Sequence, residues 1–280
     1  MGSYKTLSSS LNWPSGLGDQ GTVTLVTSVG LGANDGTVLI PHFLTSAHEQ
    51  KLPAILVSFT QTYNHYLHIM RKMGMAKTKF KFVNALATTM VGQKEGGLES
   101  LPLVTRPDYT LRRGEWSGFF QWLSDQTTIA ATATATGAAA GAAEVEQGGV
   151  VLVVDGLCSL VDLGMDISEA VWFMDCCRRI LGSKGRIVVG VLLDEFTEDL
   201  VRELVRKSHY YFGFTALVSG SSRDISGQVT VVPGQLYCQL QNLHNNSGGS
   251  GREFKPLVLH YCVSDTNVQF FSPGQSHIVL

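Results

Sequence analysis

Charge is scarce in this sequence. Asp, Glu, Lys and Arg supply 16% of its 280 residues, against roughly 25% in an average soluble domain. The formal net charge is −2 and the sequence pI about 6.4. Such a balance gives no bulk attraction for nucleic acid, so any RNA contact must come from a local patch. A free-standing RNA-binding module, which should be basic overall, is disfavoured. Low charge suits a chain that covers part of its surface with partners.

Paired cysteine spacing is also missing. The five cysteines are odd in number, show no C-x-x-C, and include adjacent Cys176 and Cys177, which cannot easily share one tetrahedral site. Reduced thiols in a cytoplasmic protein, with the nucleus as a second compartment, are expected. No apolar run reaches the length that spans a bilayer, so no membrane association is expected. The start, MGSYKTLSSSLNWPSG, lacks an apolar h-region, and no signal peptide is expected. It does fit M-G-x-x-x-[ST] through Thr6, a short and common pattern that leaves modification of Gly2 open. No G-x-S-x-G elbow occurs. His65 and His68 stand i, i+3 on an expected helix without Cys or acid nearby, so no metal and no cofactor are expected.

What is present is an alternation of apolar strands and amphipathic helices. Residues 23–28, 54–60, 79–83, 150–154 and 187–193 read as strands. Helices are expected after the glycine-rich turn VGLGANDG, over YNHYLHIMRKMG, over YTLRRGEWSGFFQWLSD, and from an Asp166/Glu169 capping box to Gly182. A further helix starts acidic at Glu195 and ends basic at Lys207. From Phe212 the pattern turns to strands alone, at 214–219, 228–233, 257–263 and 268–271. The stretch 127–143, TTIAATATATGAAAGAA, is expected to be a low-complexity disordered insert, and 245–251 a flexible loop. Together these predict one α/β domain over 1–280, with a mainly parallel sheet covered on both faces and an antiparallel C-terminal extension.

The chemistry centres on VVLVV followed by Asp155. An acid at the end of a buried strand is where nucleotide-hydrolysing enzymes hold magnesium; it can equally cap the next turn. The first strand leads into GLGANDGTV, where Gly32, Gly36 and Thr37 stand as remnants of a phosphate-binding loop. The G-x-x-x-x-G-K-[ST] pattern needs a lysine that is absent, Asp35 brings the wrong sign, and the glycine spacing is off by one. After the second strand Gln61 and Asn64 stand where a general base would be needed. Arg71, Lys72, Lys77, Lys79 and Lys81 form a basic cluster that reads either as RNA contacts or as helix-end and solvated-strand charge.

Strand, glycine turn, helix, a second strand without glutamate, and VVLVVDGLCSL resemble a RecA-like ATPase domain with degenerate catalytic parts. Four segments in order, IPHFLTSAHEQKLPAILVSFTQTYNHYLHIMRKMGM, VVLVVDGLCSLVDLGM, SGSSRDISGQVTV and LHYCVSDTNVQFFSPGQSHIVL, resemble more narrowly the subunit 6 family of the Elongator complex. That resemblance implies a RecA-like, three-layer fold and a hetero-hexameric ring with subunits 4 and 5. The ring would dock on the catalytic subcomplex, bind tRNA and support wobble-uridine modification, with the chemistry in another subunit. On this reading the chain is not an enzyme. The alternative is an atypical ATPase working at a ring interface to regulate tRNA release. Arg223 and Asp224, at the tip of an expected hairpin, are expected near a subunit interface.

Overall fold

The apolar runs collect into a single ten-stranded sheet in this computed structural model, which describes residues 4–11, 13, 17–29, 36–86, 107–112, 114–137, 149–217, 224–239, 256–264 and 267–274. The strands are β1 (Val23–Val29), β2 (Ala54–Ser58), β3 (Lys81–Asn84), β4 (Tyr109–Thr110), β5 (Val151–Asp155), β6 (Arg186–Leu193), β7 (Tyr210–Thr215), β8 (Gly227–Pro233), β9 (Leu257–Val263) and β10 (Val268–Phe271). Their order is β10-β9-β8-β7-β1-β6-β5-β2-β3-β4. Every pair from β7 to β4 through the centre is parallel, and β7–β8, β8–β9 and β9–β10 are antiparallel. The expected parallel body with an antiparallel extension is therefore the observed fold.

Strand periodicity splits the core in two. In β5, Val151 and Val153 join one cluster and Leu152 and Val154 the other, because successive side chains point to opposite faces. Helices α2 (Ile40–Glu49) and α3 (Tyr63–Lys72) cover the first face, with α1 (Lys5–Ser10) beside them. Helices α4 (Trp116–Gly137), α5 (Ser159–Asp162), α6 (Ile167–Leu181) and α7 (Glu198–Arg206) cover the second. Pro41 falls in the first turn of α2, where its missing N–H removes no helical bond. The capping box of α6 forms as expected: Asp166 accepts from the Ser168 N–H and Glu169 reaches back to the Asp166 N–H.

Three differences from the sequence reading have physical causes. Helix α4 runs on to Gly137, so the reading of 127–143 as a disordered insert fails over its first part; residues 138–148 lie outside the described residues, as does the 245–251 loop. The helix is held at its start, where Phe119 stacks on Phe173 at 5.5 Å and Trp116 packs edge-on to the same ring at 5.3 Å. Alanine then propagates it, and Thr127, Thr128 and Thr132 bond back to carbonyls one turn earlier. Second, β7 starts at Tyr210 rather than 214, because Thr24 to Ser28 of β1 pair with Tyr210 to Phe214. Third, an N-terminal arm unforeseen in the sequence buries Tyr4, Leu7, Leu11, Trp13 and Leu17.

The join between β1 and β7 contains a pH-sensitive bond. His209 is buried and its Nδ1 accepts the Val23 N–H at 3.0 Å. Burial, and then the nearby Arg178 charge, push its pKa from 6.5 down to about 4, with Asp19 opposing. The unfolded chain takes up this proton near pH 6.5 and the folded chain only near 4. Stability is thus held above pH 6.5 and falls as pH drops towards 4, by at most about 1.4 kcal/mol per pH unit. His209→Asn keeps an acceptor for Val23 and loses the titration. Thermal melts between pH 7 and 4.5 should show a flatter profile for the variant than for the parent protein.

Candidate functional site

The carboxyl ends of β1, β5 and β6 and the loop after β2 open on one cavity of about 300 Å³. In open α/β sheets this is where ligands bind. Gly36 and Thr37, from the turn before α2, line it together with Thr60, Gln61, Tyr66 and Asp155. The fold thus brings Gly36, Thr37 and Asp155 to one place. Gly32 and Asp35 lie outside the described residues.

Asp155 is 3% exposed and its carboxylate is already engaged. The β2–β5 register sets Ser58 beside it. Its Oδ2 accepts from the Tyr66 and Thr60 hydroxyls and, at 3.4 Å, from Ser58. Ser58 and Tyr66 are also 2.8 Å apart, and the Ser58 oxygen accepts the N–H groups of Thr60 and Gln61. The loop after β2 is therefore tied to the end of β5 through one carboxylate. Burial, and then the charge of Asp155, push the Tyr66 phenol far above its ordinary value. It stays a proton donor at any physiological pH. Gly156, at φ +73°, lets this loop close: a Cβ there would meet the Thr60 methyl at 2.1 Å.

Glycine at 36 has a packing cause of its own. A Cβ would fall 2.6 Å from a Val26 methyl, so close approach to the sheet requires glycine without invoking phosphate. Among the described lining residues there is no Lys or Arg. The second acid, Asp162, has its pKa raised by burial and by Asp194. Cys158, also in the wall, is pushed up by burial, which keeps it a thiol and a poor nucleophile. The cavity presents acids and hydroxyls, an environment unfavourable to a polyphosphate.

The sequence pointed to Asp155 and missed Ser58, Thr60 and Tyr66. The legible signal was that AILVS and VLVVD both end in a polar residue, so pairing them in register sets serine against aspartate. His65 and His68 are exposed, and no metal-ligating cluster occurs among the described residues. The basic cluster divides. All five cations are exposed, but Lys79 and Lys81 line a separate groove with His48 and Lys51, and Arg71, Lys72 and Lys77 lie outside it. Asp224 is exposed on the β7–β8 connection, and Arg223 lies outside the described residues.

Sheet order, the strand–turn–helix at β1 and an acid ending β5 define a RecA-like domain. A solved structure supports this at the level of fold: an uncharacterised Pyrococcus horikoshii protein in complex with an unknown peptide superposes with a TM-score of 0.59 over 95% of this chain and 98% of its own, at 7% identity. The family model for Elongation complex protein 6 matches residues 4–248, and the chain belongs to that family. Elongator complex protein 6 of mouse is 24% identical over 275 residues, 94% of each chain. The human protein is 24% identical over 290 residues, 99% of this chain and all of its own. That of Xenopus laevis is 26% identical over 262 residues, 88% of this chain and 89% of its own.

Proposed function

We propose that this chain is a non-catalytic ring subunit. It assembles with Elongator subunits 4 and 5 into a RecA-like hetero-hexamer that docks on the catalytic subcomplex, binds tRNA and supports wobble-uridine modification. The observation that carries the non-catalytic part is the engagement of Asp155 by Ser58, Thr60 and Tyr66. Phosphoryl transfer works by positioning and charge neutralisation. A carboxylate that ties the loop after β2 to the end of β5 would have to surrender those bonds to take magnesium. For the ring, the support is the antiparallel extension, which ends in the edge strand β10 and exposes Val258; such edges call for cover. Asp224, with Arg223 beside it in sequence, sits on the same side of the fold as that extension and is assigned to the interface. Arg71, Lys72 and Lys77 are assigned to tRNA phosphates, and the working compartment is the cytoplasm, with the nucleus second.

Co-expression with subunits 4 and 5 of the same organism, followed by light scattering on the purified complex, tests the assembly. A stoichiometric hexamer is the expected result, and a chain that stays monomeric beside them ends the reading. Purified chain alone should show no magnesium-dependent ATP turnover. Turnover that disappears in Asp155→Asn would put an ATPase in its place.

A further inference from the structure

On the opposite rim of the sheet from the Asp155 cavity lies a second groove, of about 420 Å³. Leu52, Pro53, Ile55, Phe80, Ile129 and Ala130 give it an apolar floor, and His48, Lys51, Lys79 and Lys81 give it a basic rim. No carboxylate occurs among its described lining residues. Ile129 is 57% exposed, on the part of α4 that continues past its aromatic anchor. The nearest acid on that helix, Asp125, is bonded to Gln121 at 3.0 Å, and Lys81 is held by Gln126.

We propose that this groove docks an acidic, aliphatic segment of a partner chain. Charge complementarity sets the sign: three exposed lysines line the groove and no carboxylate does among its described residues, which outweighs Glu49 and Asp125 just outside it and favours Asp or Glu in the partner. The floor decides between protein and nucleic acid. Single-stranded nucleic acid gains much of its affinity by stacking bases on aromatic faces. Among the described lining residues the one ring of the floor, Phe80, is packed against Tyr63 at 5.5 Å, the rest of the floor is aliphatic or proline, and the only other ring, His48, stands on the rim. Aliphatic anchors in a groove with charges at its rim are how an amphipathic helix is held. The inference stands independently of ring assembly and of Asp155.

The test uses the full chain and labelled peptides of about twelve residues with Leu and Glu at helical i, i+3, i+4 spacing. Fluorescence anisotropy should give saturable binding that weakens about tenfold when Lys replaces Glu in the peptide, and on raising salt, since exposed charges are screened over about 8 Å at physiological ionic strength. Ile129→Asp and Lys79→Glu in the protein should each weaken it about tenfold, with Lys51→Glu replacing either variant that fails to fold. Absence of saturable binding, equal binding of the Lys peptide, or indifference to both variants overturns the proposal. So does an oligouridylate that binds more tightly than the peptide and is lost in Lys79→Glu but kept in Ile129→Asp, which would make the groove a nucleic-acid site.

Discussion

Deleting residues 1–17 is expected to send the chain mainly into aggregate. The arm looks peripheral in sequence and is part of the core in space. Tyr4 donates to the Val38 carbonyl at 2.6 Å and stacks on His42 with centroids 4.5 Å apart. Trp13 packs edge-on to Tyr210 at 4.9 Å and touches Phe212. Leu7, Leu11 and Leu17 close the same face. Without the arm, the rings of Tyr210 and Phe270 and the turn into α2 lose their cover, and an apolar patch of that kind promotes association. A single substitution, Trp13→Ala, leaves the arm in place and should cost about 3–5 kcal/mol, the usual range for emptying a large aromatic site. Soluble yield and light scattering read the deletion, and urea unfolding reads the substitution. A truncated chain that stays monomeric and melts with the parent would show that the arm is dispensable.

The arm shows where sequence reasoning stopped. The central strands were legible because each is a continuous apolar run, and a strand buried on both faces needs nothing else. The start of α6 was legible because a capping box is a local event between Asp166 and Glu169. Tyr4, Leu7 and Leu11 have helical spacing, but six residues are too few for the pattern to stand out, and their burial depends on α2 and β10, far along the chain. Strand β4 has two residues and carries no periodicity at all. Helix α4 was cut short in the reading because an Ala/Thr run shows no face to bury. It persists because its anchor lies upstream and the hydroxyls of Thr127, Thr128 and Thr132 are satisfied within the helix. The site was half legible for a similar reason. Asp155 announces itself by its strand, whereas the three hydroxyls that engage it are placed by the register between β2 and β5 and by the first turns of α3.

Replacing Asp155 with alanine is expected to destabilise the domain by about 3–5 kcal/mol. The substitution removes the shared acceptor of three hydroxyls. Ser58 and Tyr66 are buried and cannot turn to water; their oxygens are 2.8 Å apart, so one can donate to the other, which leaves one donor of the pair stranded at about 1–3 kcal/mol, and the charge-assisted bonds that tie Thr60 and Tyr66 to β5 are lost as well. Asparagine should behave differently. Its amide oxygen can take the place of Oδ2 and keep the three donors, at the loss of charge assistance. The lost charge also no longer needs desolvation, which offsets part of that loss. The expected cost is about 1–2 kcal/mol. Tyr66→Phe removes one donor and should cost about 2 kcal/mol. The double variant Asp155→Ala/Tyr66→Phe should be less destabilised than the sum of the two, by about 1 kcal/mol or more, because the second change deletes a group the first has stranded. Denaturant unfolding of the four proteins measures this directly. A purely chemical role makes the opposite forecast: alanine and asparagine would be equally mild in stability and equally severe in magnesium-dependent nucleotide binding. The order alanine far below asparagine, with nucleotide binding unaffected by either, is what a carboxylate retained as a structural tie between β5 and the β2 loop requires.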